Sequence, residues 1–168
     1  IFNIIYFFIE LKGVIHIMKF TCTKSDFNNG INIALKAVPG KTTMPILGYV
    51  VIEAKDDYIK MTTNDMQLGI ETKVPAQVQE PGVILMNAKM ISEYVRRLPD
   101  DDINFEVDEQ NNILLFCGRS KFSIPGMDND EFPKLPNIEV DSKIEISQFT
   151  LREMIQQTIF SISDTIPS

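Results

Sequence analysis

The sequence has very few of the residues on which most enzyme active sites depend. Its 168 residues contain one histidine, His16, and two cysteines, Cys22 and Cys117. Without further histidines the chain cannot assemble a Ser/His/Asp or Cys/His catalytic set or a histidine-rich metal site. The cysteines fall in strand-like runs without metal-ligand spacing, so we expect buried thiols in a reducing compartment. The sequence therefore predicts no active site, no metal and no cofactor.

Long apolar segments are also missing. The apolar run at residues 1–9 is interrupted by Glu10 and Lys12, well short of the roughly 20 residues that span a bilayer. It has neither the basic start nor the cleavage site of a signal peptide, so we expect a cytoplasmic protein with no membrane contact. Met18 stands just before the first predicted strand. Residues 1–17 are therefore interpreted as upstream sequence translated in frame, with a genuine amphipathic extension as the alternative.

Charged segments that resemble ligand sites lack the residues that define such sites. Residues 128–131 have no glycine and no final glutamate at the positions of a calcium loop. Residues 118–120 are not a phosphate loop, because no glycine-rich run leads into a helix. Three aspartates at 100–102 lie between a predicted helix and a predicted strand, which favours a solvated turn over a metal site.

What the chain does contain is a pattern of apolar residues that occurs twice. Placing Lys19 on Lys143, 124 residues later, aligns six apolar pairs: Phe20/Ile144, Cys22/Ile146, Phe27/Leu151, Ile31/Ile155, Leu35/Ile159 and Val38/Ile162. Each copy begins with the alternation of a strand and continues with the spacing of an amphipathic helix. Helix N-caps are predicted at Asp26 and Thr150, the latter in a capping box with Glu153. The repeat implies a tandem array of domains.

The first copy continues into a complete α+β domain. Two helices are predicted at residues 26–37 and 88–98, among strands joined by short turns. Because helices and strands do not alternate in a βαβ rhythm, we expect two helices packed on antiparallel sheets. The first domain is predicted at residues 18–136, and residues 137–168 begin the second. The predicted strands are residues 19–23, 46–54, 58–63, 67–75, 82–86, 103–107, 113–117 and 121–124.

The distribution of charge is more informative than its total. The net charge of −7 argues against nucleic acid as a partner at first sight. Residues 24–41 and residues 87–97, which hold the two predicted helices, nevertheless each carry a net charge of +2. Basic helices on an acidic chain fit a protein that meets phosphate on one face. Scattered, solvated lysines are the alternative interpretation.

Several short motifs occur in the order and spacing of one known family. They are MKF at 18–20, TMPILG at 43–48, TTNDM at 62–66 followed by Ile70 and Glu71, CGRSKFSI at 117–124, and DEFP at 130–133. With these motifs the chain resembles the bacterial DNA polymerase III beta subunits, the sliding clamps, from Met18 to about Thr165. The resemblance implies a DNA-clamp fold: three copies of one α+β domain per chain, closed head-to-tail as a homodimeric ring around duplex DNA.

The same resemblance implies a non-catalytic processivity subunit of the replicative DNA polymerase III holoenzyme. The polymerase and the clamp loader would bind through later domains. Lys41 occupies a basic DNA-contacting position after the first helix, and Lys89 a basic position at the start of the second. Lys36 and Arg96 belong to the same basic helices and are predicted to face DNA with them. The strand that would pair with the other subunit supplies the predicted dimer interface: Arg119, Lys121, Phe122 and Ile124.

Two other classes of function stay open at this point. A metal-dependent nucleotidyltransferase or hydrolase would need carboxylates that converge from separate elements, whereas the acidic residues here fall in predicted turns. A generic acidic interaction domain would make the segregation of positive charge onto the helices accidental.

Overall fold

The computed structural model describes residues 16–136 and 145–161. The chain divides into two compact units, Ile1–Leu135 and Pro136–Ser168. The predictions for residues 1–15, Lys143, Ile144 and Ile162 lie outside the described residues. The elements of the first unit are β1 (His16–Thr23), α1 (Lys24–Ala34), β2 (Tyr49–Lys55), β3 (Tyr58–Asn64), β4 (Gly69–Pro75), β5 (Gln77–Glu80), β6 (Gly82–Asn87), α2 (Ala88–Arg97), β7 (Asp102–Asp108), β8 (Asn112–Cys117) and β9 (Ser120–Pro125), with 3₁₀ turns at Leu35–Ala37 and Pro45–Gly48.

These strands form two antiparallel sheets. One has the order β5-β1-β7-β8-β9 and the other the order β4-β3-β2-β6. Alternate residues of β2, β7 and β8 are buried, as expected for strands with one face on a core. Both sheets and both helices contribute to a single hydrophobic core, in which Phe20 stacks on Phe105 with ring centroids 4.7 Å apart. The predicted α+β fold, with two helices on antiparallel sheets, is confirmed.

The start of α1 differs from its prediction by a cap. The helix begins at Lys24 because Thr23 is the N-cap: its hydroxyl oxygen accepts a hydrogen bond from the Asp26 amide at 3.1 Å. The same hydroxyl donates to the Asp26 carboxylate at 2.8 Å. The prediction of Asp26 as the N-cap is therefore wrong, and Asp26 acts as the third residue of a reciprocal cap.

Three strand assignments also differ from the prediction. The strand predicted at residues 46–54 begins at Tyr49, because Pro45–Gly48 form a 3₁₀ turn. The short strand β5 was not predicted, because its four residues are polar apart from Val78. The strand predicted from residue 67 begins at Gly69 instead. The Asp65 carboxylate accepts hydrogen bonds from the amides of Gln67 and Leu68, which lowers the pKa of that carboxyl group and holds residues 65–68 in a turn. Local side-chain hydrogen bonds thus override the alternating pattern.

The packing of α1 on the second sheet depends on Gly30. A Cβ atom at this position would overlap Val74 of β4 and lie 3.4 Å from the sulfur of Met61 in β3. Both neighbours are buried, so neither can move into solvent. The glycine therefore allows α1 to approach the sheet closely enough to close the core.

We expect Gly30→Ala to lower the free energy of unfolding by about 1–3 kcal/mol through overpacking. This cost opposes the better helix propensity of alanine, about 1 kcal/mol, and exceeds it because the obstructing atoms are buried. Chemical denaturation followed by circular dichroism measures the change. Gly40→Ala is the matched control, since no atom lies within 4 Å of its Cβ position. Equal stability of the Gly30→Ala variant and the parent would contradict this packing.

The second unit contains α3 (Gln148–Thr158) and a 3₁₀ turn at Ile159–Ser161. Both elements have the lengths of α1 and its following turn, and they lie 124 residues further on, as the predicted repeat requires. Ser147 is the N-cap, accepting a hydrogen bond from the Thr150 amide at 3.1 Å. The prediction of Thr150 as the N-cap, in a box with Glu153, is wrong by the same three residues as in the first copy.

The apolar face of α3 is exposed. Leu151 and Ile155 are 45% and 51% exposed, whereas their counterparts in α1, Phe27 and Ile31, are fully buried. The difference follows from the surroundings, because the described residues of the second unit include no strand. Residues 145–147, where the repeat predicts part of a strand, form none. Among the described residues, no helix is long and apolar enough to cross a membrane.

Candidate nucleic-acid interface and open sheet edge

Helix α2 presents two different surfaces outside the core. Its buried positions are Ala88, Ile91 and Val95. At 100° per residue, Lys89 and Arg96 lie within about 20° of each other on the side away from these positions, and both are exposed. Met90, Tyr94 and Arg97 lie on the other flank of the helix. The sequence therefore places a basic stripe of Lys89 and Arg96, with the exposed Glu93 beside it, and a mixed apolar stripe on one short helix.

Helix α1 lies beside α2 and is joined to it at one end. The Lys24 ammonium donates a hydrogen bond of 2.6 Å to the Leu98 carbonyl, which is the C-cap of α2. Because α1 starts at this junction and α2 ends there, the helices pack in opposite directions, with Lys36 and Lys89 at their other ends. Lys24 is half-buried and committed to this bond, so it adds less to the exposed positive charge than the sequence count suggested.

The four predicted DNA-facing residues all have exposed side chains. Lys36 lies in the 3₁₀ turn after α1, and Lys41 in the loop that follows, where the Thr42 hydroxyl oxygen accepts a hydrogen bond of 3.0 Å from the Met44 amide. Lys89 and Arg96 lie on the basic stripe of α2. None of the four forms an ion pair with another described residue. Their charges are therefore available to a ligand.

The predicted interface strand lies at the edge of its sheet. β9 pairs with β8 on one side and, within the described residues, with no strand on the other. The Arg119 side chain is exposed in the turn before β9, beside Gly118 with φ of 55°. The Lys121 ammonium lies 5.1 Å from the Phe116 ring centroid on the outer face of the sheet. An open edge of this kind can accept another strand.

The two apolar residues predicted for this interface differ in their surroundings. Phe122 is half-buried and stacks on Tyr94 of α2, with ring centroids 5.1 Å apart. Ile124 is 1% exposed and belongs to the domain core. Its side chain therefore supports β9 from beneath and offers a partner no exposed apolar surface.

The apolar character of Met90 and Tyr94 predicts that both belong to the apolar face of the second helix. Tyr94 is half-buried and packs against the core, as this predicts. In the structure Met90 is 38% exposed, and Tyr94 borders β9 through Phe122. Met90 and Tyr94 are four residues apart, so they lie on one side of the helix, next to the buried positions. This spacing is the sequence signal of the second stripe. The edge of β9 and this flank of α2 form one surface, which we call the edge surface: Met90, Tyr94, Arg119, Lys121 and Phe122.

The acidic segments and the thiols do not form a cluster of metal ligands in the described residues. No three His, Cys, Asp or Glu side chains cluster there in a way that would hold a metal ion. The Asp101 carboxylate accepts a hydrogen bond from the Asp102 amide, consistent with the predicted turn. Both thiols are buried, as predicted, and burial raises the pKa of Cys22 to about 12 and also raises that of Cys117. Neither is therefore a ready nucleophile.

Comparison with known proteins agrees with the predicted resemblance. A family model described as DNA polymerase III beta subunit, N-terminal domain, matches residues 18–136, and the chain belongs to this family. The beta sliding clamp of Bacillus subtilis is 35% identical over 154 residues, which cover 87% of this chain and 41% of that protein. The beta sliding clamp of Synechocystis sp. is 34% identical, with 87% and 39% covered.

Solved structures give the same result. A putative DNA polymerase III beta subunit from Eubacterium rectale has a TM-score of 0.83 and 44% identity, covering 90% of this chain and 41% of that one. The DNA polymerase sliding clamp from Bacillus subtilis has a TM-score of 0.84 and 34% identity, with 91% and 42% covered. The chain thus spans about two fifths of the length of these relatives.

Proposed function

We propose that this chain forms the N-terminal part of a DNA sliding clamp, the non-catalytic processivity subunit of a bacterial DNA polymerase III holoenzyme in the cytoplasm. The observation that carries the proposal is the family match over residues 18–136. The exposed basic side chains of the 3₁₀ turn after α1, of α2 and of the loop between α1 and β2 support it. They belong to an otherwise acidic chain, so they carry the attraction to phosphate that is proposed here.

The proposed mechanism uses phosphate attraction without base recognition. A clamp has to hold duplex DNA without stopping at any sequence. Lysine and arginine side chains on a helix surface attract phosphates through charge, which carries no sequence information. Lys36, Lys41, Lys89 and Arg96 are the residues proposed to do this in the first domain.

The proposal extends to a ring of two copies. The edge surface would pair with the third domain of a second copy, so that the five-stranded sheet continues across the two chains. The open edge of β9 and the half-buried Phe122–Tyr94 stack support this assignment. The replicative polymerase and the clamp loader would bind later domains of the full-length protein.

The test compares salt dependence in the proposed three-domain protein. Lys41→Ala with Lys89→Ala should reduce the slope of log K for linear duplex DNA against log salt by about 0.9 for each phosphate that is no longer neutralised. Preference among sequences should not change. Fluorescence anisotropy at several salt concentrations measures both quantities. After loading on circular DNA, retention should stay as in the parent, because a closed ring is held by topology.

Lys55→Ala is the matched control, since Lys55 is an exposed lysine at the end of β2 and belongs to neither helix. Its salt slope should equal that of the parent. An unchanged slope in the Lys41/Lys89 variant would show that these lysines do not face the duplex. A change in sequence preference would contradict the proposed mechanism.

A further inference from the structure

The exposed face of α1 carries amides and a hydroxyl group. Ser25, Asn29, Asn32 and Lys36 follow one another at spacings of four, three and four residues, which places them on one side of the helix. All four are exposed, and the buried residues of α1 lie on the opposite side. This stripe, which we call the amide stripe, leads from the first turn of α1 to Lys36.

The amides of the stripe have no structural role within the described residues. Asn29 and Asn32 make no side-chain hydrogen bond there, whereas Asn64 and Asn87 accept bonds from the Met66 and Met90 amides. Asparagine is also among the weaker helix formers, because its side chain competes for backbone hydrogen bonds. Two exposed asparagines in an 11-residue helix therefore weaken α1 without a compensating bond inside the protein.

The stripe is also free of negative charge. The only acidic residue of α1 is Asp26, and its carboxylate accepts a hydrogen bond from the Thr23 hydroxyl at the cap. The next charged residue along the stripe is Lys36, and Lys41 follows in the loop. A ligand that lies along α1 would thus meet hydrogen-bond donors first and positive charge at the end, an arrangement suited to an anionic backbone.

We propose that Asn29 and Asn32 donate hydrogen bonds from their side-chain amides to phosphate oxygens of duplex DNA. This inference rests on the proposed function and deepens it, because it adds uncharged phosphate contacts to the charged ones. An amide that binds phosphate releases no counterion, so it strengthens binding by the same factor at every salt concentration. The stripe would hold DNA close to α1 without the strong attraction of further lysines.

The experiment measures association of the 168-residue chain with a linear duplex by NMR titration at several salt concentrations. Asn29→Ala with Asn32→Ala should weaken binding about two- to fivefold at each salt concentration and leave the salt slope unchanged. The same variant should unfold about 2–4 °C higher than the parent, because alanine is the better helix former. Weaker binding by a more stable protein cannot be attributed to misfolding.

Two further variants make the outcomes distinct. Lys36→Ala with Lys41→Ala should reduce the salt slope, and Gln110→Ala, an exposed amide in the β7–β8 turn, should bind like the parent. If the lysine variant lowers the slope but the asparagine variant binds like the parent, the amide contacts do not exist. If the asparagine variant changes the slope, it acts through the lysines and the inference fails. If the parent itself shows no duplex binding, the inference fails, whereas the proposed function is decided separately by the salt slope of the three-domain protein.

Discussion

Replacing Phe122 with alanine and Arg119 with glutamate should convert the proposed ring dimer into monomers. The truncation removes the ring that stacks on Tyr94 at the edge of β9. Loss of a large apolar side chain from a packed surface costs a few kcal/mol. The reversed charge would repel a partner surface that complements the basic residues Arg119 and Lys121. A total loss of about 3 kcal/mol corresponds to an increase of about 100-fold or more in the dimer dissociation constant.

Sedimentation velocity on the three-domain protein measures this change over a range of concentrations. Tyr58→Ala is the matched control: Tyr58 is also a half-buried aromatic residue, and it lies at the start of β3 in the other sheet. Thermal unfolding of both variants reports any general loss of stability. A dimer of parental strength in the Phe122/Arg119 variant would place these residues away from the subunit interface.

The elements of this fold were predictable where sequence patterns and local physics agree. The apolar alternation of β2, β7 and β8 corresponds to the observed burial. The three-residue error in both predicted N-caps has one cause, because the side chains of Thr23 and Ser147 complete caps that the apolar pattern does not report. Since both copies deviate in the same way, the offset of 124 residues between the two helices is the predicted one. Strand β5 was missed because it has little apolar pattern.

The candidate surfaces were predictable only in part, because the sequence does not show which contacts a charged side chain makes inside the domain. Lys24 counted as positive charge on the helix surface, yet it bonds to the Leu98 carbonyl. Ile124 was expected at the interface, yet it completes the core. Met90 was predicted on the apolar face of the second helix, yet it is 38% exposed. Each difference arises from tertiary packing between elements far apart in sequence.

The buried thiol of Cys22 should make the domain sensitive to alkaline pH. Burial, with the nearby carboxylates of Asp26 and Asp102, raises the pKa of Cys22 from its ordinary value of 9.0 to about 12. Above pH 9 the unfolded chain loses this proton, while the folded domain retains it. The contribution of the neutral thiol to stability is therefore complete below pH 9 and is lost as the pH rises towards 12. The loss is about 1.4 kcal/mol per pH unit, and about 4 kcal/mol in all.

We expect this loss to disappear in Cys22→Val, which keeps an apolar side chain at this position in β1 but cannot ionise. The free energy of unfolding of parent and variant, measured by urea denaturation between pH 7 and 11 under reducing conditions, should differ by a constant amount up to about pH 9. Above that pH the parent should lose stability faster than the variant, by about 1.4 kcal/mol per pH unit. Titration of lysine and tyrosine side chains affects both proteins alike, so the difference between the two curves isolates the thiol. Parallel curves up to pH 11 would mean that Cys22 ionises in the folded domain as readily as in the unfolded chain, and that β1 does not bury it.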